Sequence, residues 1–390
     1  MARTSLARSN LKHQPARTIV SVLGIGFAIL LMYLQLGFLG SVGDTATIVY
    51  GRLAGDAVVR SPEYLHAYDP RRVDASLLDQ LRGMPEVSRA SPLDLGLAKW
   101  QNPDSGEFRG IAVVGVDLDS NPLDIAAIAH SGELLRRPDQ ILVDRATRPD
   151  FGPADGARFG RADVGRVAEV NGRRVRIVGT FEMGTGLAAN GAMLTSREGW
   201  LRVGGGDETG VSLIVLRFAP GLDRRQATAA VRERLRGLGG ESAHAEVLTI
   251  EEAIRWEKRR WYLQTPVGLI FAMGVALSVV VGGVICYMVL AADVIAHRAE
   301  YATLKAIGYG EAALAGTLLA QASYLAALAL PPATLAALAL YRLTSALAGI
   351  PIRMTWQWLL LVACLAFAMC ATAGRLAVRK LAKAEPASLF

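Results

Sequence analysis

Four stretches of this chain run for at least 19 residues without a lysine, arginine, aspartate or glutamate: 18–40, 266–292, 312–341 and 356–374. A helix rises about 1.5 Å per residue, so about 20 apolar residues cross the roughly 30 Å hydrocarbon core of a bilayer. Helices buried in soluble domains rarely sustain such runs. The pattern predicts four transmembrane helices, in keeping with a chain that is 52% hydrophobic. The first run is too long for a signal-peptide core, and no A-x-A-like cleavage site follows it, so it reads as an uncleaved anchor.

Orientation follows from where the cations gather. Residues 1–17 carry Arg3, Arg8, Lys12 and Arg17 and no acid; residues 375–390 carry Arg375, Arg379, Lys380 and Lys383 against Glu385. Four spans put both ends on one side, and the basic bias predicts that both termini are cytoplasmic. Topology alone accounts for these tails, so no nucleic-acid partner is needed. Cys286, Cys364 and Cys370 all fall inside spans, which leaves the large insert to fold without disulfides. No Cys/His spacing suits zinc, and no metal or cofactor is expected.

The spans leave one large extracytoplasmic insert at 41–265 and a short extracytoplasmic loop at 342–355. At the start of the insert, "AGDAVVRSP" reads as a strand, "DASLLDQLRGM" as a helix, and "EVSRASPLDLGLAKW" and "FRGIAVVGVDL" as strands. Near its end, "VSLIVLRFAP" and "AHAEVLTI" flank a helix that opens at Asp223 as N-cap. These two pieces can pair into an α+β subdomain. The middle, roughly 120–208, is Gly-bounded and strand-rich, with a hairpin turning at Asn171-Gly172. The expected fold is therefore a four-span α-helical membrane protein with a large extracytoplasmic α+β domain between helices 1 and 2. Within that domain a β-rich subdomain is inserted into the α+β one. Thr249 and Glu252 form a capping box at the helix leading into the second span. Trp256, Trp261 and Tyr262 stand where an interfacial aromatic belt belongs.

Catalytic signatures are missing. None of the six lysines follows a glycine, so the chain has no phosphate-binding P-loop of its own. It lacks H-E-x-x-H and G-x-S-x-G, and "GTGLAA" at 184–189 reads as a Gly-rich turn rather than a dinucleotide site. Gln35 and Gln321, the most polar residues of the spans, either bond across helices or meet a substrate. Small residues recur at four-residue spacing: Gly274, Ser278, Gly282 and Cys286 in the second span, Gly24 and Ala28 in the first. Such faces let backbones approach closely, in a packed helix pair or a dimer seam. Pro331-Pro332 predicts a kink or break in the third span.

Between the second and third spans, residues 293–311 carry helix-compatible spacing on what the topology makes the cytoplasmic side. Asp293 and His297 form an i,i+4 pair and Gly308 is placed to end the helix. An amphipathic helix there suits either docking into a groove of a soluble partner or lying on lipid.

The sequence "RAEYATLKAIGYG" in this segment resembles the cytoplasmic segment that follows the second span in FtsX-like/MacB-like permeases of ABC transporters. The ending Glu385-Pro386-Ala387 after a basic helix is also similar to that superfamily. The opening "LARSNLKHQPARTIVSVLGIGFAILLMYLQLGF" most resembles the DevC permeases, as do "SPLDLGLAKWQNP", "LVDRATRPDFGP" and "VNGRRVRIVGTFEMGTGLAANGAMLTS". The resemblance implies a non-catalytic permease subunit in a bacterial inner membrane, acting as a homodimer with a separate ABC ATPase subunit. A membrane-fusion (periplasmic adaptor) protein and an outer-membrane channel would complete the export path, with membrane lipids as further partners. It carries ATPase coupling to Arg298, Glu300, Leu304, Lys305, Ala306, Ile307 and Gly308, and casts 1–17 as a cytoplasmic amphipathic segment. For adaptor contact only a region can be named, the Gly-rich loop of the β-rich subdomain around Gly184 to Asn190. Two alternatives stand beside it: a lipoprotein-releasing or cell-division FtsX-like permease, and a membrane-anchored ligand receptor.

Overall fold

The computed structural model describes residues 15–184, 190–204, 206–238, 245–296, 311–348 and 351–382. The chain divides into two compact units, one of Met1–Gly40, Thr265–Ala348 and Ile352–Phe390, the other of Ser41–Gln264 with Gly349–Pro351. Helix α1 (Pro15–Ala46) supplies the first span, and its last six residues belong to the second unit.

In the second unit the chain runs through β1 (Ala57–Arg60), β2 (Val73–Asp74), α2 (Leu77–Arg82), β3 (Val87–Gln101), β4 (Phe108–Val116), α3 (Ala126–Leu135) and β5 (Gln140–Asp144). It continues through β6 (Val167–Val170), β7 (Arg173–Phe181), β8 (Ala192–Ser196), α4 (Arg197–Gly204), β9 (Gly210–Val211), β10 (Leu213–Phe218), α5 (Arg224–Leu238), β11 (Glu246–Thr249) and α6 (Ile250–Leu263).

Strands β11, β1, β10 and β3 form an antiparallel sheet in that order. Alternate side chains of a strand point to opposite faces, and here both faces are covered. Ala57 and Val59 meet Leu77, Leu81, Val231 and Leu235 of α2 and α5. Val58, between them, faces the opposite core with Tyr50, Tyr64 and Ala253. Helix α5 starts where Asp223 Oδ1 accepts the N–H groups of Arg225 and Gln226, each at 3.0 Å. Helix α6 starts on the reciprocal Thr249–Glu252 pair, at 3.0 and 3.1 Å. Both caps satisfy amides that the first turn leaves unpaired.

At 15 residues, β3 is long enough to serve two structures. Its first half pairs with β10. Its second half pairs with β4 and, through Trp100 and Gln101, with β6. The order β3-β4-β8-β5-β7-β6 then returns to β3, closing a six-stranded barrel. Ile111, Val113, Ile141, Val143, Val175 and Met193 fill it around the fully buried Trp100. Trp100 donates its indole N–H to the Phe151 carbonyl at 3.0 Å, so its one polar side-chain atom is paired. At the β6–β7 turn, Asn171 and Gly172 take φ 49° and 74°, as a tight hairpin requires.

Helices α7 (Pro266–Ala296), α8 (Glu311–Ala348) and α9 (Trp356–Ala382) complete the first unit. Together with α1 they are long and apolar enough to cross a membrane. Of the kink or break that the sequence suggests at Pro331 and Pro332, the break does not occur: helix α8 is continuous through both. Both prolines are exposed, and an apolar surrounding disfavours opening the remaining backbone bonds.

Candidate functional site

The small residues of the spans meet inside one helical unit. A Cβ on Gly24 would lie 2.9 Å from Ile285 of α7, and one on Gly282 would lie 2.7 Å from Ala28 Cβ. Gly274 receives the Gln35 amide, whose atoms stand 2.5 to 2.8 Å from such a Cβ. Residues 24, 28 and 35 thus oppose 285, 282 and 274, an antiparallel α1–α7 contact in which each glycine admits a neighbour's side chain. Ser278, on the same face, is buried and bonds back to the Gly274 carbonyl at 2.8 Å. Met369 of α9 also presses on Gly282, and Cys286 and Cys370 are buried free thiols in hydrogen-bond contact.

Helix α7 carries Asp293 inside its last turn and ends at Ala296. Asp293 is buried, and its Oδ2 accepts from Gln321 Nε2 of α8 at 3.0 Å. Gln321 therefore bonds across helices, the first of the two roles its sequence position allowed. A buried carboxylate in an apolar helix is costly and marks a place of consequence. It lies five residues before Arg298, where the coupling motif begins. Arg298, Glu300, Leu304, Lys305, Ala306, Ile307 and Gly308 themselves lie outside the described residues, as do residues 185–189 of the Gly-rich loop.

The root of that loop is described. Asp144, at the end of β5, is fully buried and accepts from the N–H groups of Ala146 at 3.0 Å and Gly184 at 2.7 Å. Burial pushes its carboxyl above the usual range, against the pull of these backbone donors. Gly184 adopts φ 109°, a conformation that L side chains rarely take.

Next to the second span, α6 grips the segment after β1. Arg60 is fully buried, pairs with Glu246 at 2.8 Å and lies over the Trp256 and Tyr64 rings at 3.8 and 4.5 Å. Glu257, also fully buried, accepts from Tyr64 OH at 3.1 Å and Trp261 Nε1 at 3.2 Å; Tyr50 OH donates to Tyr64 OH at 2.8 Å. Burial raises the Glu257 pKa, while the Trp261 and Tyr64 donors oppose the rise. Lys258 reaches Asp44 in the last turn of α1 at 2.6 Å, and Tyr262 packs at Gly43. Trp256, Trp261 and Tyr262 are thus each engaged within the domain. Sequence reasoning missed Arg60 and Glu257. Their one local signal is position, between Val59 and Ser61 in a strand and on the Ala253-facing side of a helix.

A family model described as MacB-like periplasmic core domain matches residues 18–234, more than half of the chain. The chain belongs to that family. A second model, FtsX-like permease C-terminal, matches residues 272–386 and takes in most of α7 together with α8 and α9. A MacB-like core followed by an FtsX-like permease end makes this a multi-pass membrane protein, of the kind that forms the transmembrane component of ABC transporters.

Among solved structures, the periplasmic region of MacB from Actinobacillus actinomycetemcomitans is similar at 8% identity and a TM-score of 0.39. That alignment covers 53% of this chain and 94% of the other. The extracellular domain of the ABC-type transporter YknZ from Gram-positive bacteria is similar at 12% identity and a TM-score of 0.35, covering 50% and 98%. A search of curated proteins gives no significant match.

Proposed function

We propose that this chain is the permease subunit of a MacB-like ABC exporter of the DevC type. The observation that carries this reading is the order of its two family matches: a MacB-like core that begins in the first span, then an FtsX-like permease end over the last three helices. In this reading a separate ABC ATPase subunit docks on 293–311 through Arg298, Glu300, Leu304, Lys305, Ala306, Ile307 and Gly308. Two copies of the chain work as a homodimer in the inner membrane, with both termini cytoplasmic. Motion passes from the cytoplasmic segment through the helices to the large domain. That domain works with a periplasmic adaptor, around Gly184 to Asn190, and an outer-membrane channel to export a lipid, glycolipid or other cargo. The small faces of the described spans are filled by neighbouring side chains, which favours a path outside their interior.

The test is ATP hydrolysis by a candidate ATPase co-purified with the full chain, comparing wild type with Lys305→Glu and Gly308→Pro. Variants that insert and fold but lose ATPase binding or stimulation support the reading. A wild-type chain that binds no ATPase overturns it and moves the ligand-receptor alternative to the front.

A further inference from the structure

Helix α6 presents one exposed stripe at four-residue spacing: Glu251, Arg255, Arg259 and Leu263. Its carboxylates are taken up elsewhere. Glu251 and Glu252 pair with Arg224 and Arg232 at 3.6 and 3.7 Å, and Glu257 is buried on Tyr64 and Trp261. Two of its four cations are also committed, Lys258 to Asp44 and Arg260 over the Trp256 ring at 5.5 Å. Arg255 and Arg259 remain exposed, with no ion pair among the described residues.

The position of the stripe beside a span gives it meaning. Leu263 is 73% exposed, and the apolar helix α7 begins three residues later at Pro266. Arg259 lies seven residues before the start of that span, and α6 ends at Leu263, four residues after Arg259. Bilayer headgroups occupy roughly 5–7 Å on each side of the hydrocarbon core. Arg259 and Leu263 precede the span by only seven and three residues, so the chain keeps both within reach of the headgroup layer. Guanidinium groups match phosphate in charge and in hydrogen-bond geometry, and their alkyl stems tolerate the apolar edge. Cations are ordinarily sparse beside a span on its non-cytoplasmic side. Yet exposed Arg342 and Arg353 flank the other loop that four spans place on the same side as the large domain.

We infer that the Arg255–Arg259–Leu263 stripe docks anionic phospholipid headgroups of the leaflet that faces the large domain, the two guanidinium groups binding phosphates while Leu263 enters the acyl layer. This inference needs the four spans but not the ATPase, so it stands or falls apart from the exporter reading.

The experiment is native mass spectrometry of the full chain released from nanodiscs of mixed phosphatidylglycerol and phosphatidylcholine, counting retained lipid of each class. Wild type retains phosphatidylglycerol preferentially. Arg255→Gln/Arg259→Gln binds it about thirtyfold more weakly, because each surface cation contributes a factor of about five. Arg255→Lys/Arg259→Lys keeps most of the retention, and Leu263→Ser loses part of it with both arginines intact. Equal retention by wild type and the Gln pair overturns the inference. Displacement of the lipid by millimolar inorganic phosphate overturns it as well, since the stripe would then read free phosphate. An unchanged unfolding temperature in the Gln pair separates lost lipid from lost fold.

Discussion

The guanidinium carbon of Arg60 stands 3.8 Å from the centre of the Trp256 ring, joining the end of strand β1 to the helix that leads into the second span. Its other face lies over Tyr64, and its Nε and one terminal nitrogen both reach Glu246 Oε2, at 2.9 and 2.8 Å. Ring stacking and a two-pronged carboxylate contact ask for a planar cation, which lysine does not supply. Arg60→Lys is expected to lower stability by about 2 kcal/mol, and Arg60→Ala by about 3 kcal/mol or more, since truncation leaves a packing void as well as an unpaired Glu246. Thermal unfolding of the purified chain in detergent measures both. An Arg60→Lys variant as stable as wild type would show that charge alone is at work.

Glu257 gives a pH signature. Its folded-state pKa lies above the ordinary 4.5 because burial disfavours the carboxylate. A group raised in this way lets the native state bind its proton before the unfolded chain does. The stability it lends is fully present below pH 4.5 and is lost as pH rises through the folded value. Glu257→Gln removes that titration. Wild type should therefore gain on the variant as pH falls from 8 towards 5. Paired melting curves across that range provide the check, and a gap that stays constant would mean that Glu257 does not titrate there.

How much of this was written locally is seen in particular residues. The apolar runs, the Asp223 and Thr249 caps and the Asn171-Gly172 turn depend on neighbours within four residues or on length alone, and the structure has them where the sequence points. Barrel closure does not. It rests on Trp100 meeting Val170 across 70 positions of chain, a register no local pattern encodes. Arg60 and Glu257 fail for a related reason: a charge in an amphipathic pattern reads as surface until a distant partner is known. The aromatic residues of α6 carry the same lesson. Their composition fits a membrane belt, and the sequence does not reveal that Tyr64 and Arg60, nearly 200 residues earlier, pack on Trp256.

Asp94 is a second buried charge whose role is structural. It is fully buried on β3, 3.6 Å from Arg72 and 3.3 Å from Arg197, and its Oδ1 accepts the Ser212 N–H at 3.2 Å. Burial raises its pKa, while Arg197 and Arg72 oppose the rise. Removing one partner of a buried ionic cluster strands the others, at a cost of about 3–5 kcal/mol. Asp94→Ala is expected to destabilise the large domain by that order, and Asp94→Asn by less. Urea unfolding followed by tryptophan emission reports it, since Trp200 lies 5.1 Å from the Arg72 guanidinium. An Asp94→Ala midpoint equal to wild type would rule out an ionic brace.

Adjacent glycines of α7 make the sharpest test of span packing, because they share sequence context and differ only in what they face. A methyl on Gly282 would meet Met369 Sδ at 2.5 Å and Ala28 Cβ at 2.7 Å, while one on Gly283 would come no closer than 3.6 Å to Met369. The Met369 tip can swing aside; the Ala28 Cβ is fixed to its backbone, so α1 itself would have to shift. Overpacking of this kind costs about 1–3 kcal/mol. Gly283→Ala meets ordinary van der Waals distances and removes a flexible residue from a helix interior, worth up to about 1 kcal/mol in the opposite direction. Gly282→Ala should thus lower the unfolding temperature in detergent and Gly283→Ala leave it unchanged or raise it. If both variants behave alike, the close α1–α7 approach at Ala28 is not what Gly282 provides.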